Sequence, residues 1–194
     1  MQEILKKIIT DVLTSLYEPF WFALLSAFLM CIAYMYCYEP DNAGGGFKKM
    51  MLAWVKKFKK DAHFRVLFFW CIVTVMILFR TLLNRNLWMN PLSDVMGGWT
   101  FTDSKGKFSA EPVENIIMLI PWTWLLIVLK NRKNVVKKPV LYAIGAGFLF
   151  TLAIETMQLM LRLGTFQLSD ICYNTLGGMI GGVMFWIFGM IRKR

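Results

Sequence analysis

The chain of 194 residues is 57% hydrophobic and 15% aromatic, with 18% charged residues and a mean hydropathy of +0.52. Soluble domains sit near half apolar and a quarter charged, so this balance argues against a soluble enzyme, a disordered tail and a secreted disulfide scaffold. The net charge of +10 does not point to nucleic acid, because the basic residues cluster between long apolar runs, as in membrane loops.

Residues 1–18 form the first element. Leu5, Ile8, Ile9, Val12, Leu13 and Leu16 recur at helical spacing, with Gln2, Glu3, Lys6, Lys7, Thr10, Asp11 and Thr14 on the other face. The pattern predicts an amphipathic helix in the membrane interface, with packing onto the bundle as the alternative. It is not read as a secretory signal: its charges lie too far ahead of the apolar run, and no small-residue cleavage site follows.

Five segments approach the ~20 apolar residues that a helix needs to cross a bilayer. They are 19–38, 64–83 with Arg80 inside, 113–129 with Pro121 inside, 139–163 with Glu155 inside, and 171–191, which is uncharged and glycine-rich. The expected fold is an all-α integral membrane bundle of about five transmembrane helices plus the N-terminal interfacial helix. The organisation is 1–18 interfacial helix, 19–63 first span and basic loop, and 64–194 four-helix core.

The loops sort by charge. Residues 39–65, 130–138 and the C-terminus together carry fifteen Lys and Arg, and the alternate segments carry six. Cytoplasmic loops hold the excess, so the N-terminus is expected outside and the C-terminus inside. In the first basic loop, Gly44, Gly45 and Gly46 read as a flexible point. Met51, Leu52, Trp54, Val55 and Phe58 among the lysines read as a helix on the anionic inner leaflet. Cys31, Cys37, Cys71 and Cys172 show no metal spacing and no CxxC pair, so neither a disulfide framework nor a metal site nor a cofactor is expected.

Ionisable groups inside a span are costly, about 2.5–3.5 kcal/mol each on insertion scales, and are functional candidates. At about 1.5 Å per residue, Arg80 lies about 22 Å and Glu155 about 24 Å from the inner entries of their spans. Arg80, Glu114, Asn115, Glu155, Gln158, Arg162, Asp170 and Asn174 thus gather in the outer third, from four spans. Glu155, Gln158 and Arg162 share one helix face by spacing. Glu155 and Asp170 with Arg80 and Arg162 can hold a zwitterionic or anionic head group. They can equally lock the helices as ion pairs, Glu155 with Arg80 and Asp170 with Arg162.

Gly177, Gly178, Gly181 and Gly182 form a packing stripe. Trp88, Trp99, Trp122 and Trp124 are interfacial anchors. Pro121 is expected to kink its span and free a carbonyl near the polar cluster. Ser169 has no histidine within reach, which argues against a serine hydrolase, whereas carboxylate acid–base work by Glu155 and Asp170 stays chemically open.

The stretch Glu155-x-x-Gln158-x-x-x-Arg162, then Asp170-x-x-x-Asn174-Thr175-x-Gly177-x-x-x-Gly181, resembles the signature of the VanZ-like family. Asn115 to Pro121 and Arg80 with Asn90-Pro91 resemble further parts of it, and Thr123 stands where that family often has glycine. The resemblance spans about residues 64–191. It implies a bacterial plasma-membrane protein. The family is named for a protein that gives low-level resistance to teicoplanin, a glycopeptide with a fatty tail, without changing the D-alanyl target.

The leading expectation is a protein that alters the outer envelope and lowers susceptibility to lipoglycopeptides. Arg80 and Arg162 would hold a membrane lipid or lipid-linked precursor, and the antibiotic itself is a further candidate partner. Glu155 and Asp170 would orient the arginines or act as acid and base, and Asn115, Gln158 and Asn174 would supply hydrogen bonds. The alternatives are an enzyme on a lipid-linked envelope polymer or glycolipid, and a structural scaffold. A carrier ranks last, because the inner half offers no polar path.

Overall fold

The computed structural model describes residues 2–39, 46–101, 108–131 and 136–191, with no side-chain description for residues 2–5, 12, 15 and 16. Outside it lie much of the glycine run, the loop cations Lys105, Lys107, Arg132 and Lys133, residues 192–194, and the side chains of Leu5, Val12 and Leu16.

The chain folds as α1 (Gln2–Tyr17), α2 (Phe20–Tyr38), α3 (Phe47–Lys60), α4 (Ala62–Leu78) with a π-helical turn (Phe79–Leu83), α5 (Glu111–Lys130), α6 (Pro139–Leu161) and α7 (Leu168–Ile191). Among the described residues five helices are long and apolar enough to cross a membrane: α2, α4 with its π turn, α5, α6 and α7. Only about a fifth to a third of each span is buried in the protein. Large apolar side chains such as Leu25, Leu29, Phe148, Leu149 and Trp186 stay exposed, as a lipid-facing surface requires. The protein is an all-helical membrane bundle.

The core is set by glycine. One stripe of α7 faces α5: a Cβ on Gly177 would run into the Ile116 carbonyl, and one on Gly181 into Thr123 and Ile120. The next stripe faces α6: a Cβ on Gly178 would lie 3.2 Å from the Ala143 carbonyl, and one on Gly182 2.6 Å from Ala143 Cβ. Missing side chains let the backbones approach, and dispersion then holds helices that hydrophobicity cannot drive together in lipid. Thr123 lies at the seam, its hydroxyl 3.1 Å from the Gly178 carbonyl oxygen.

Around this trio pack α4 and then α2. Trp122 is 5% exposed, stacked on Phe150 at 4.2 Å and donating its Nε1–H to Thr74 Oγ1 at 2.9 Å. It is therefore a core residue and not an interfacial anchor, whereas Trp88 and Trp99 are half exposed. Helix α5 continues through Pro121. Pro121 and Ile117, the residue whose carbonyl it leaves without a helical partner, are both exposed.

Part of the apolar face of α3 packs on protein, while Leu52 and Val55 stay exposed. Trp54 stacks on Phe58 and meets Phe28, Phe64 and Phe68 edge-on. Helix α1 touches α5, and Lys7 Nζ donates to the Phe108 carbonyl at 2.9 Å. Its Ile9, Leu13 and Tyr17 remain exposed.

Candidate functional site

Five elements bring polar groups to the same end of the bundle: the start of α2, the π turn, and the α5, α6–α7 and 84–101 connections. The π turn comes first. The Asn84 amide bonds the Phe79 carbonyl at 2.8 Å, five residues back, so one extra residue is accommodated beside Arg80. Such turns often mark functional positions in helices. Thr81, in this turn, returns its hydroxyl to the Ile77 carbonyl. Its own carbonyl accepts the Gln158 side-chain amide at 2.7 Å.

Arg80 pairs with Glu114 in the first turn of α5. Glu114 is buried, and Arg80 keeps 29% of its side chain exposed. Arg80 also lies within Coulombic reach of Asp11, Glu111, Asp170 and Arg85. The expected Arg80–Glu155 pair does not form, because Glu114 supplies the nearer carboxylate from the neighbouring helix.

Glu155 is 2% exposed and accepts the Gln167 backbone N–H at 2.9 Å. That bond satisfies an amide just before α7 and fixes the α6–α7 turn. Asp170 accepts the Asn115 side-chain amide at 2.8 Å, tying α7 to α5. Asn174 donates to Thr151 Oγ1 at 2.7 Å, tying α7 to α6. Asn174 Oδ1 and Ser169 Oγ are buried with no partner among the described residues. The backbone of Gly97 sits directly on Ser169 Oγ, where even a Cβ would collide. No substrate fits over that hydroxyl.

Arg162 departs from the expectation. Helix α6 ends at Leu161, and Arg162 caps it in the left-handed region at φ 55° with an exposed side chain. The face shared by Glu155 and Gln158 therefore does not extend to it, and Asp170 takes Asn115 instead. What Arg162 supplies to its surroundings is its carbonyl oxygen, which accepts the Trp88 amide at 2.7 Å. That bond begins a clamp: the Phe166 amide donates to Pro91, and the Leu168 amide to Val95, both at 2.9 Å. An isolated antiparallel bridge between Leu87 and Leu163 completes it. The connection 84–101 is thus pinned over the polar end.

Arg85 is the cation that sequence reasoning left out of the cluster. It stands beside Gly164, with Nη1 3.4 Å from the point a Cβ would occupy there, and its charge reaches both Glu155 and Asp170. Arg80 and Arg85 border a cavity of about 270 Å³, together with Asn84, Glu18, Glu111 and Glu114. The two guanidiniums supply fork-shaped donors for phosphate or carboxylate, and the glutamates can receive an ammonium. Asn84 also donates to Glu18 at 3.1 Å, closing the cavity against the start of α2.

A membrane bundle of five candidate spans, polar at one end and locked by glycine packing, is the class that fold and site define. The sequence matches the VanZ/LLP1 family model over residues 15–189, and the chain belongs to that family. The match takes in α2 and α3, so the shared region reaches well before residue 64, where the sequence motifs begin. No curated protein and no solved structure matches the chain.

Proposed function

We propose that this VanZ/LLP1 protein works in the bacterial plasma membrane with its Arg80 end in the outer leaflet. There it binds the head group of a lipid or lipid-linked envelope precursor and so lowers susceptibility to lipoglycopeptides such as teicoplanin. The orientation rests on the excess of Lys and Arg in the segments at the opposite end, which places the N-terminus outside and the C-terminus inside. The observation that carries the reading is the cavity bordered by Arg80 and Arg85, the charged recess at the polar end of the bundle. Arg80, paired with Glu114, and the more exposed Arg85 bring two positive charges to the recess for an anionic group.

Glu155, Gln158, Asn115, Asp170 and Asn174 each hold a protein partner. In this reading they frame the recess and hold its field, and Arg85 takes the ligand-binding part first expected of Arg162. Catalysis by Glu155 and Asp170 is not needed for it.

The test is susceptibility to teicoplanin beside vancomycin in a sensitive Gram-positive host. The host expresses wild type, Arg85→Gln, or Glu155→Gln, with membrane levels matched. Protection against teicoplanin that Arg85→Gln abolishes supports the reading. Wild type without selective protection overturns it. Protection that survives Arg85→Gln but fails in Glu155→Gln moves the chemistry to the carboxylate.

A further inference from the structure

The opposite end of the bundle holds a second recess, of about 460 Å³, between the end of α2 and α3. Lys60, on its rim, is twenty residues before Arg80, about 30 Å along the helical rise, so the two recesses are separate. The volume falls within the ~300–1,000 Å³ of small-molecule sites.

Its cations are Lys49, Lys56, Lys57 and Lys60, and its acids Glu39 and Asp61. Both acids are engaged: Glu39 pairs with Lys57, and Asp61 Oδ1 caps α4 by accepting the His63 amide at 2.9 Å. Lys49, Lys56 and Lys60, spaced i, i+7 and i+11, share one face of α3. Among the described residues no carboxylate pairs with them. Between them sits Ala53, whose small side chain leaves the face concave. The floor is apolar, with Met35 fully buried and Leu52 63% exposed.

We infer that this recess is a site for an anionic phospholipid. The phosphate lies among Lys49, Lys56 and Lys60, and an acyl chain runs over the exposed Leu52. Three lysines on one face give the phosphate its counter-charge. The apolar floor, open beside a membrane span, selects a lipid over a free anion. Lysine charge alone would hold either. A basic pocket against membrane helices is a geometry suited to lipid phosphates.

The experiment uses the purified full-length protein and native mass spectrometry. Retention of dioleoyl phosphatidylglycerol is compared with that of dioleoyl phosphatidylcholine, with inorganic phosphate as competitor. Wild type should keep the anionic lipid preferentially, undisturbed by millimolar phosphate. Lys49→Gln/Lys56→Gln/Lys60→Gln should lose it at least tenfold, given about fivefold per lysine. The charge-matched control Lys48→Gln/Lys59→Gln/Lys137→Gln alters lysines outside the recess and should keep it. Leu52→Gln, which leaves the charge and the α3 core intact, should also weaken lipid retention. Equal loss in both triple variants, no preference for the anionic lipid, or displacement by phosphate overturns the inference. If the recess triple fails to fold, Leu52→Gln decides: unchanged lipid retention in that variant overturns it too.

Discussion

The side-chain amide of Gln158 donates to the Thr81 carbonyl oxygen at 2.7 Å, with Gln158 3% exposed. Helix α6 is thereby keyed to the π-helical turn of α4, which carries Arg80. A π turn loosens the backbone ladder, and in a membrane no water replaces a lost partner. The Gln158 amide therefore supports the geometry that aims Arg80 at Glu114. Gln158→Leu should cost about 1 kcal/mol of stability, the scale of interhelical hydrogen bonds in membranes. Unfolding in graded denaturing detergent measures it. A loss below ~0.3 kcal/mol would show that the turn stands without Gln158.

Arg80 and Glu114 couple α4 to α5. The pair is buried on the glutamate side and partly wet on the arginine side. Its coupling should fall between the limits for exposed and buried pairs, about 1–3 kcal/mol. A double-mutant cycle with Arg80→Gln and Glu114→Gln reads it directly, because the double variant removes both charges together. Arg80→Gln should be less stable than the double, since it strands the buried Glu114 charge, whereas in Glu114→Gln the half-wet Arg80 keeps Asp11, Glu111 and Asp170 in reach. Additive losses would mean that the two side chains act independently.

Much of this arrangement is legible in the sequence, and the rest fails for identifiable reasons. Hydropathy and length locate all five candidate spans, and the helical rise gathers the polar residues at one end. Pairing is different, because it depends on helix rotation and on which neighbour comes first. Arg80 therefore found Glu114, and Asp170 found Asn115. Arg162 fell outside the cluster because α6 stops one residue earlier. Gly164 at φ +94° was a visible stop signal in the sequence. In the sequence Arg85 reads only as a loop charge, since nothing local shows that 84–101 folds back over residues 162–168. The π turn has no pattern of its own in a continuous apolar run. Trp122 reads as interfacial by position, yet a partner hydroxyl on Thr74 admits its indole N–H to the core.

That fold-back gives a prediction about exchange. The amides of Trp88, Phe166 and Leu168 are bonded across the clamp. Gly97 holds φ +69° while its backbone covers Ser169, so a side chain there meets both backbone strain and a collision. Hydrogen exchange should find the three amides protected in wild type. Gly97→Ala should release them together, by tenfold or more, while exchange in the middle of α6 and α7 is unchanged. Release of one amide alone would mean that the connection is not a single unit.

Glycines of the two kinds should respond with opposite signs. At Gly181 a Cβ would press into Thr123 and the Ile120 carbonyl, and backbone cannot yield as a flexible side chain can. Overpacking of this kind costs about 1–3 kcal/mol, so Gly181→Ala should destabilise by that amount and loosen the α5–α7 seam. At Gly145, inside α6, nothing lies within 4 Å of an added Cβ. Alanine is the better helix former there by about 0.5–1 kcal/mol. In lipid the α-helical state is also retained on denaturation, so Gly145→Ala should be neutral to slightly stabilising. Denaturing-detergent titrations of the two variants side by side make the comparison. A loss at Gly145 as large as that at Gly181 would mean that contact with α5 is not what makes Gly181 sensitive.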